Sequence, residues 1–149
     1  MKKILVALDG SPREPGVLDA AIALGRKTGA RLVLFRSVGI PQELPKEAYA
    51  VPPDEVPRLL EDRARRDLDA LAARVPAEIR GPVRVHVGSP WRSIERVAAE
   101  EDVDLIVIGS HGYQGADHLL GTTAAKVVNH ADRAVLVVRA PERLTDPGN

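Results

Sequence analysis

Gly109, Gly112 and Gly121, with the hydroxyls of Thr122 and Thr123, are the residues whose spacing has a chemical meaning. Gly109-Ser-His-Gly112 follows directly on the apolar run from Val103 to Ile108. Gly121-Thr-Thr opens a stretch to His130 that reads as a helix. Backbone that passes close to a phosphate favours glycine, because a Cβ would meet the ligand. The N–H groups of a helix's first turn lack partners within the helix and attract anions. Strand, glycine turn, loop, glycine plus hydroxyls and helix is therefore an order expected of a nucleotide site. Asp9 is a second candidate: it ends the apolar run Ile4–Leu8 and opens the turn Asp9-Gly10-Ser11. Its carboxylate could accept hydrogen bonds from a ribose hydroxyl or an adenine edge. Charge-assisted and helix-end hydrogen bonds of this kind contribute about 1.5–3 kcal/mol each.

Several other nucleotide and catalytic patterns are absent from the sequence. There is no G-x-x-x-x-G-K-[ST], which excludes a P-loop. The first strand–helix turn lacks G-x-G-x-x-G, which argues against a dinucleotide site. No G-x-S-x-G is present, so no nucleophile elbow is expected. The acidic and basic groups near the glycines are Asp9, His111, Asp117 and Lys126, and they form no recognisable catalytic set. Phosphoryl transfer needs positioning, metal and charge stabilisation, so slow nucleotide hydrolysis is the most that is expected. His118 and His130 are not paired at metal-ligand spacing, and no resident metal is expected.

Elements must bring the two glycine turns and Asp9 together. Ile4–Leu8 and Leu105–Ile108 are continuous apolar runs, as in strands covered on both faces. Leu32–Phe35 reads as a second strand and Ala134–Val138 as a fifth. Val83–Val87 alternates, as at an edge. Between them lie helical patterns. Val17, Ala20, Ala21 and Leu24 follow Pro15 and stop at Gly29. Leu60, Ala64, Leu68, Leu71 and Val75 form one stripe. Ile94, Val97 and Ala98 follow a Ser89 N-cap and Pro90. Gly39 to Pro57 holds five prolines and reads as an irregular excursion, a candidate flap.

The alternation predicts an α/β fold: a doubly wound, five-stranded parallel sheet with helices on both faces. Ligands of such sheets bind at the carboxyl ends of strands, where strand order reverses. An order of 3-2-1-4-5 places Asp9 and Gly109 on one crevice.

The chain has 149 residues, enough for one domain over 1–149 with a polar tail at 140–149. Lys+Arg and Asp+Glu both number 21, so the net charge is zero and a general nucleic-acid binder is not expected. Arg58, Arg63, Arg65 and Arg66 alternate with acidic residues, as on a solvated helix face. There is no cysteine. No apolar run approaches the roughly 20 residues of a membrane helix. A cytoplasmic protein that does not enter the membrane is expected.

Over nearly its whole length the chain resembles the universal stress proteins. Ile4 to Ser11 is similar to that family's first strand and acidic turn. Val87-Gly-Ser-Pro90 is similar to its third strand and following helix. Ile106 to Gly112, Gly121-Thr122 and Arg133 to Arg139 are similar to its ATP-binding signature and last strand. The family's ATP-binding members carry G-x2-G-x9-G-[ST]. Here eight residues, Tyr113 to Leu120, separate Gly112 from Gly121, one fewer than in that pattern.

The resemblance implies that ATP, with Mg2+ as a companion ion, is bound by Asp9, Ser37, Ile108, Gly109, His111, Gly112, Gly121, Thr122 and Thr123. The backbone at Ser37 would meet the adenine edge, and Ile108 would pack on base or sugar. The resemblance also implies a nucleotide-dependent regulatory role in the stress response, toward a protein partner that the sequence does not name. An interaction module without nucleotide is the alternative. Dimerisation through strand 134–139 is implied as well, and the absence of charge and proline from Ala134–Val138 agrees with it. Trp91 reads as a packing residue.

Overall fold

The computed structural model describes residues 1–39, 46–110 and 120–139. Five parallel strands form one sheet: β1 Lys3–Ala7, β2 Arg31–Val38, β3 Arg80–Val87, β4 Leu105–Gly109 and β5 Ala134–Val138. Their spatial order is β3-β2-β1-β4-β5, as expected from the doubly wound pattern. β1 lies in the middle, so its residues Ile4, Leu5 and Val6 are all fully buried. This is why Ile4–Leu8 shows no alternation in sequence: both of its faces are covered.

Among the described residues four α-helices connect the strands: α1 Glu14–Thr28, α2 Val56–Ala72, α3 Pro90–Glu100 and α4 Thr122–His130. Successive strand residues point to opposite faces, and two cores result. Ile4, Val6, Leu32, Leu34, Leu105 and Val107 pack with Leu18 and Ala21 of α1 and Leu68 and Ala72 of α2. Leu5, Val33, Phe35, Ile106 and Ile108 pack with Ile94, Val97 and Ala98 of α3 and Ala124 and Val127 of α4.

Several boundaries move from their sequence positions. β2 extends to Val38 and β3 begins at Arg80, each lengthened by the other's ladder. The excursion after β2 contains two 3-10 turns, Lys46–Ala50 and Pro53–Glu55, and α2 already starts at Val56. Proline fits at both starts because its missing N–H falls among the unpaired donors of a first turn. Residues 40–45 of the expected flap, and the tail 140–149, lie outside the described residues. The buried stripe of α2 is Leu60, Ala64, Leu68 and Ala72. Leu71 is half-buried, and Val75 is buried just beyond the helix end.

Ser89 occupies the N-cap of α3 in extended conformation, yet its side chain makes no capping hydrogen bond. Pro90 removes one donor there. Trp91 packs against the second core and stacks on His130, ring centroids 4.6 Å apart. Two ties fix the lower end of the sheet. Asp104 N–H donates to the Lys3 carbonyl at 2.9 Å, and the Lys2 and Lys3 N–H groups donate to Asp104 Oδ2 at 2.6 and 3.0 Å. Arg133 donates to the carbonyls of Ala98 and Val103 at 2.9 and 3.0 Å, securing the chain before β5. Among the described residues no helix is long and apolar enough to cross a membrane.

Candidate functional site

The strand order reverses at β1 and β4, and both strands end at the same side. Beyond Ala7 the chain stays beside β2, with Leu8 N–H donating to the Phe35 carbonyl at 2.8 Å. It then turns through Asp9, Gly10 and Ser11. Gly10 has φ +75°, a left-handed conformation that glycine takes at little cost. Asp9 Oδ1 accepts from Ser11 N–H at 2.9 Å, and Ser11 Oγ accepts from Arg13 N–H at 3.2 Å. The Asp9 carboxylate thus shapes its own turn.

On the other side of the switch, β4 ends at Gly109 and the buried Ser110. Ser110 N–H donates to the Val138 carbonyl at 3.0 Å. Gly121 N–H donates to the Ser110 carbonyl at 3.2 Å. Ser110 and Gly121 are therefore side by side. Gly121 caps α4 in extended conformation, its carbonyl accepting from Ala125 N–H at 2.9 Å. The N–H groups of Thr122, Thr123 and Ala124 precede the first donor of the helix ladder.

Between these turns lies a cleft of about 450 Å³. Its walls are largely apolar: Ala7, Leu8, Val17, Phe35, Ile94 and Ile108, with Pro90 and Ala124. Its polar lining is Asp9, Ser11, Arg13, Glu14, Ser37, Thr122 and Thr123. An apolar hollow with a few convergent polar groups is the common form of a small-molecule site. Gly109 and Gly121 complete the lining.

Seven of the nine residues expected at the site therefore face one cleft: Asp9, Ser37, Ile108, Gly109, Gly121, Thr122 and Thr123. His111 and Gly112 lie outside the described residues. Ser37 reaches it from β2, where its hydroxyl donates to the Gly88 carbonyl at 3.0 Å. Gly109 has a reason in the fold that phosphate approach did not provide. A Cβ there would stand 3.1 Å from Val17 Cγ2, so α1 lies unusually close to the end of β4.

Reading the sequence did not single out Arg13, Glu14 or Arg36. Glu14 Oε2 accepts from Gly10 N–H at 2.6 Å and from Arg36 Nη2 at 2.7 Å. A signal was present: Arg36 interrupts a buried strand, and a buried cation needs an anion. Among the described residues no group of three His, Asp or Glu side chains is arranged to hold a metal.

A doubly wound parallel sheet with an apolar cleft at its switch point defines a class of α/β proteins. Within that class the chain belongs to the universal stress protein family, whose sequence model matches residues 1–139. It is 33% identical to universal stress protein Sll1388 of Synechocystis, over 92% of this chain and 97% of that one. In structure it is similar to universal stress protein UspA from Lactobacillus plantarum, with TM-score 0.70 and 25% identity. That match covers 92% of this chain and 97% of the other. It also shares its fold with a universal stress protein in complex with cAMP. The TM-score is 0.69 and the identity 22%, over 94% of this chain and 98% of that one.

Proposed function

We propose that this chain is a cytoplasmic, single-domain regulator of the stress response that binds ATP in the switch-point cleft. The observation that carries this reading is the convergence of Asp9, Ser37, Ile108, Gly109 and Gly121–Thr123 on one apolar cleft. The fold-mate in complex with cAMP supports an adenine nucleotide as the ligand class.

Each wall has a part in that reading. Phe35, Ile94 and Ile108 take the base and sugar from water, at about 25 cal/mol per Å² of apolar surface covered. The backbone at Ser37 meets the adenine edge. Asp9 accepts from a ribose hydroxyl or the adenine edge. Gly109, Gly121 and the hydroxyls and N–H groups of Thr122 and Thr123 take the phosphates at the start of α4. His111 and Gly112 would add to the phosphate cradle. Mg2+ would arrive on the nucleotide, held by its phosphates. Binding at the junction of Ser110 and Gly121 would alter the surface there, and a partner protein would read that surface. The protein would act as a homodimer joined through strand 134–139.

Titration calorimetry with ATP, with and without Mg2+, tests the reading, with GTP and AMP as comparators. Saturable heat with ATP and weaker heat with GTP is expected. No heat and no thermal shift at millimolar ATP refutes it.

A further inference from the structure

The turn that carries Asp9 is held by a buried ion pair, whose Glu14 also lines the cleft. Glu14 and Arg36 are 22 residues apart, on α1 and β2, and their side chains are only 11% and 13% exposed. One oxygen, Glu14 Oε2, takes both Arg36 Nη2 at 2.7 Å and Gly10 N–H at 2.6 Å. Gly10 lies directly against the guanidinium. A Cβ placed on it would stand 3.7 to 3.9 Å from three guanidinium atoms. Asp67 of α2 closes the outer side, 3.6 Å from Arg36 Nη1. α1 and β2 thus meet at the middle residue of the Asp9-Gly10-Ser11 turn, and α2 meets Arg36 behind it.

Stability alone is a weak reason for such a pair. Taking two charges out of water costs more than their attraction returns unless every polar atom is satisfied. Among the described residues nothing accepts from the buried Arg36 Nε. What the pair does achieve is local. It fixes the Gly10 N–H, while Asp9 Oδ1 holds the Ser11 N–H. Two successive amides are thereby committed to two different carboxylates. The same turn carries Asp9 to the wall of the cleft, which Asp9 lines.

We infer, on the adenine-nucleotide reading of the cleft, that Glu14 and Arg36 are positioning residues that aim the Asp9 carboxylate at the nucleotide. Asp9 touches the ligand; Glu14 acts through Gly10, and Arg36 acts through Glu14.

Two measurements on the full chain test this. The first needs no ligand: amide hydrogen exchange of Gly10 and Ser11, followed by NMR. In Glu14→Ala both amides should exchange at least tenfold faster. If Gly10 loses protection and Ser11 keeps it, Asp9 is held without Glu14 and the inference falls, whatever the cleft binds. The second is a double-mutant cycle read by ATP calorimetry. Glu14→Ala and Asp9→Ala should each weaken binding at least tenfold. The double variant should match Asp9→Ala within twofold, because Glu14 acts only through Asp9. A double variant that multiplies the two losses, or a Glu14→Ala protein that binds like wild type, overturns the inference. Should Glu14→Ala fail to fold, the apolar exchange Glu14→Leu with Arg36→Met keeps the volume filled. It should show the same loss of affinity and of Ser11 protection, and wild-type values for it count against the inference. A wild-type chain that ignores ATP refutes the ligand assignment alone, and the exchange experiment still decides the role of Glu14.

Discussion

Gly109→Ala tests how closely α1 is packed against the end of β4. The added Cβ would lie 3.1 Å from Val17 Cγ2. Ordinary carbon–carbon contacts sit at about 3.5–4.0 Å, so roughly half an ångström must be found. Val17 is buried, 4% exposed, and cannot swing into solvent. As a β-branched helix residue it has one strongly preferred rotamer. Either it leaves that rotamer, at about 0.5–1.5 kcal/mol, or α1 shifts. Overpacking of this kind costs about 1–3 kcal/mol. For a chain of this length each kcal/mol lowers Tm by about 2–4 °C, so a fall of about 2–12 °C is expected by scanning calorimetry. The decisive comparison is the Val17→Ala background, where the new methyl enters vacated room. There Gly109→Ala should cost about 1 kcal/mol less than in wild type. Independent sites add within about 0.3–0.5 kcal/mol, so additivity would refute the packing account. ATP titration of the double variant adds a second result. Affinity that stays low assigns Gly109 to close phosphate approach as well, and restored affinity assigns it to packing alone.

Two further outcomes are expected. The Lys2 and Lys3 N–H groups hold the Asp104 carboxyl below the ordinary carboxylate value. With the folded value depressed, its contribution is complete above the unfolded carboxylate pKa of about 4 and is lost as pH falls through the lower folded value. Asp104→Asn should therefore flatten the acid limb of a urea-stability profile, and an unchanged limb counts against this tie between β1 and β4. On the exposed edge strand β5, Leu136 is 40% exposed. Leu136→Lys puts a charge where edge pairing would bury it. Sedimentation should show a dimer in wild type and a monomer in the variant, and equal masses would remove strand 134–139 as the contact.

Much of the fold could be read locally because burial leaves a period in the sequence. β1 and β4 are covered on both faces and show unbroken apolar runs, while the edge strand β3 alternates in residue type although residues 83–87 are all half-buried. The glycine and proline stops around α1 and α3 stood where the backbone has special needs. The limits of α2 were less legible. Its start is embedded among prolines that suit either an irregular loop or a first helical turn. The length of β2 was also hidden. Arg36 and Ser37 look polar in sequence, yet they belong to the strand because β3 pairs with them.

Residue types and local spacing by themselves determined the candidate chemistry: a carboxylate after the first strand, and glycines and hydroxyls around the fourth strand and fourth helix. Their periodicity determined the class of fold. Only the tertiary structure decided that Ser110 and Gly121 stand side by side, that Val17 crowds Gly109, and that Glu14 and Arg36 grip Gly10. The physical reason is the same in each case. A period in the sequence reports how far a residue is withdrawn from water. It does not report which distant atom stands 3 Å away, and that depends on how helices and strands from separate parts of the chain are brought together.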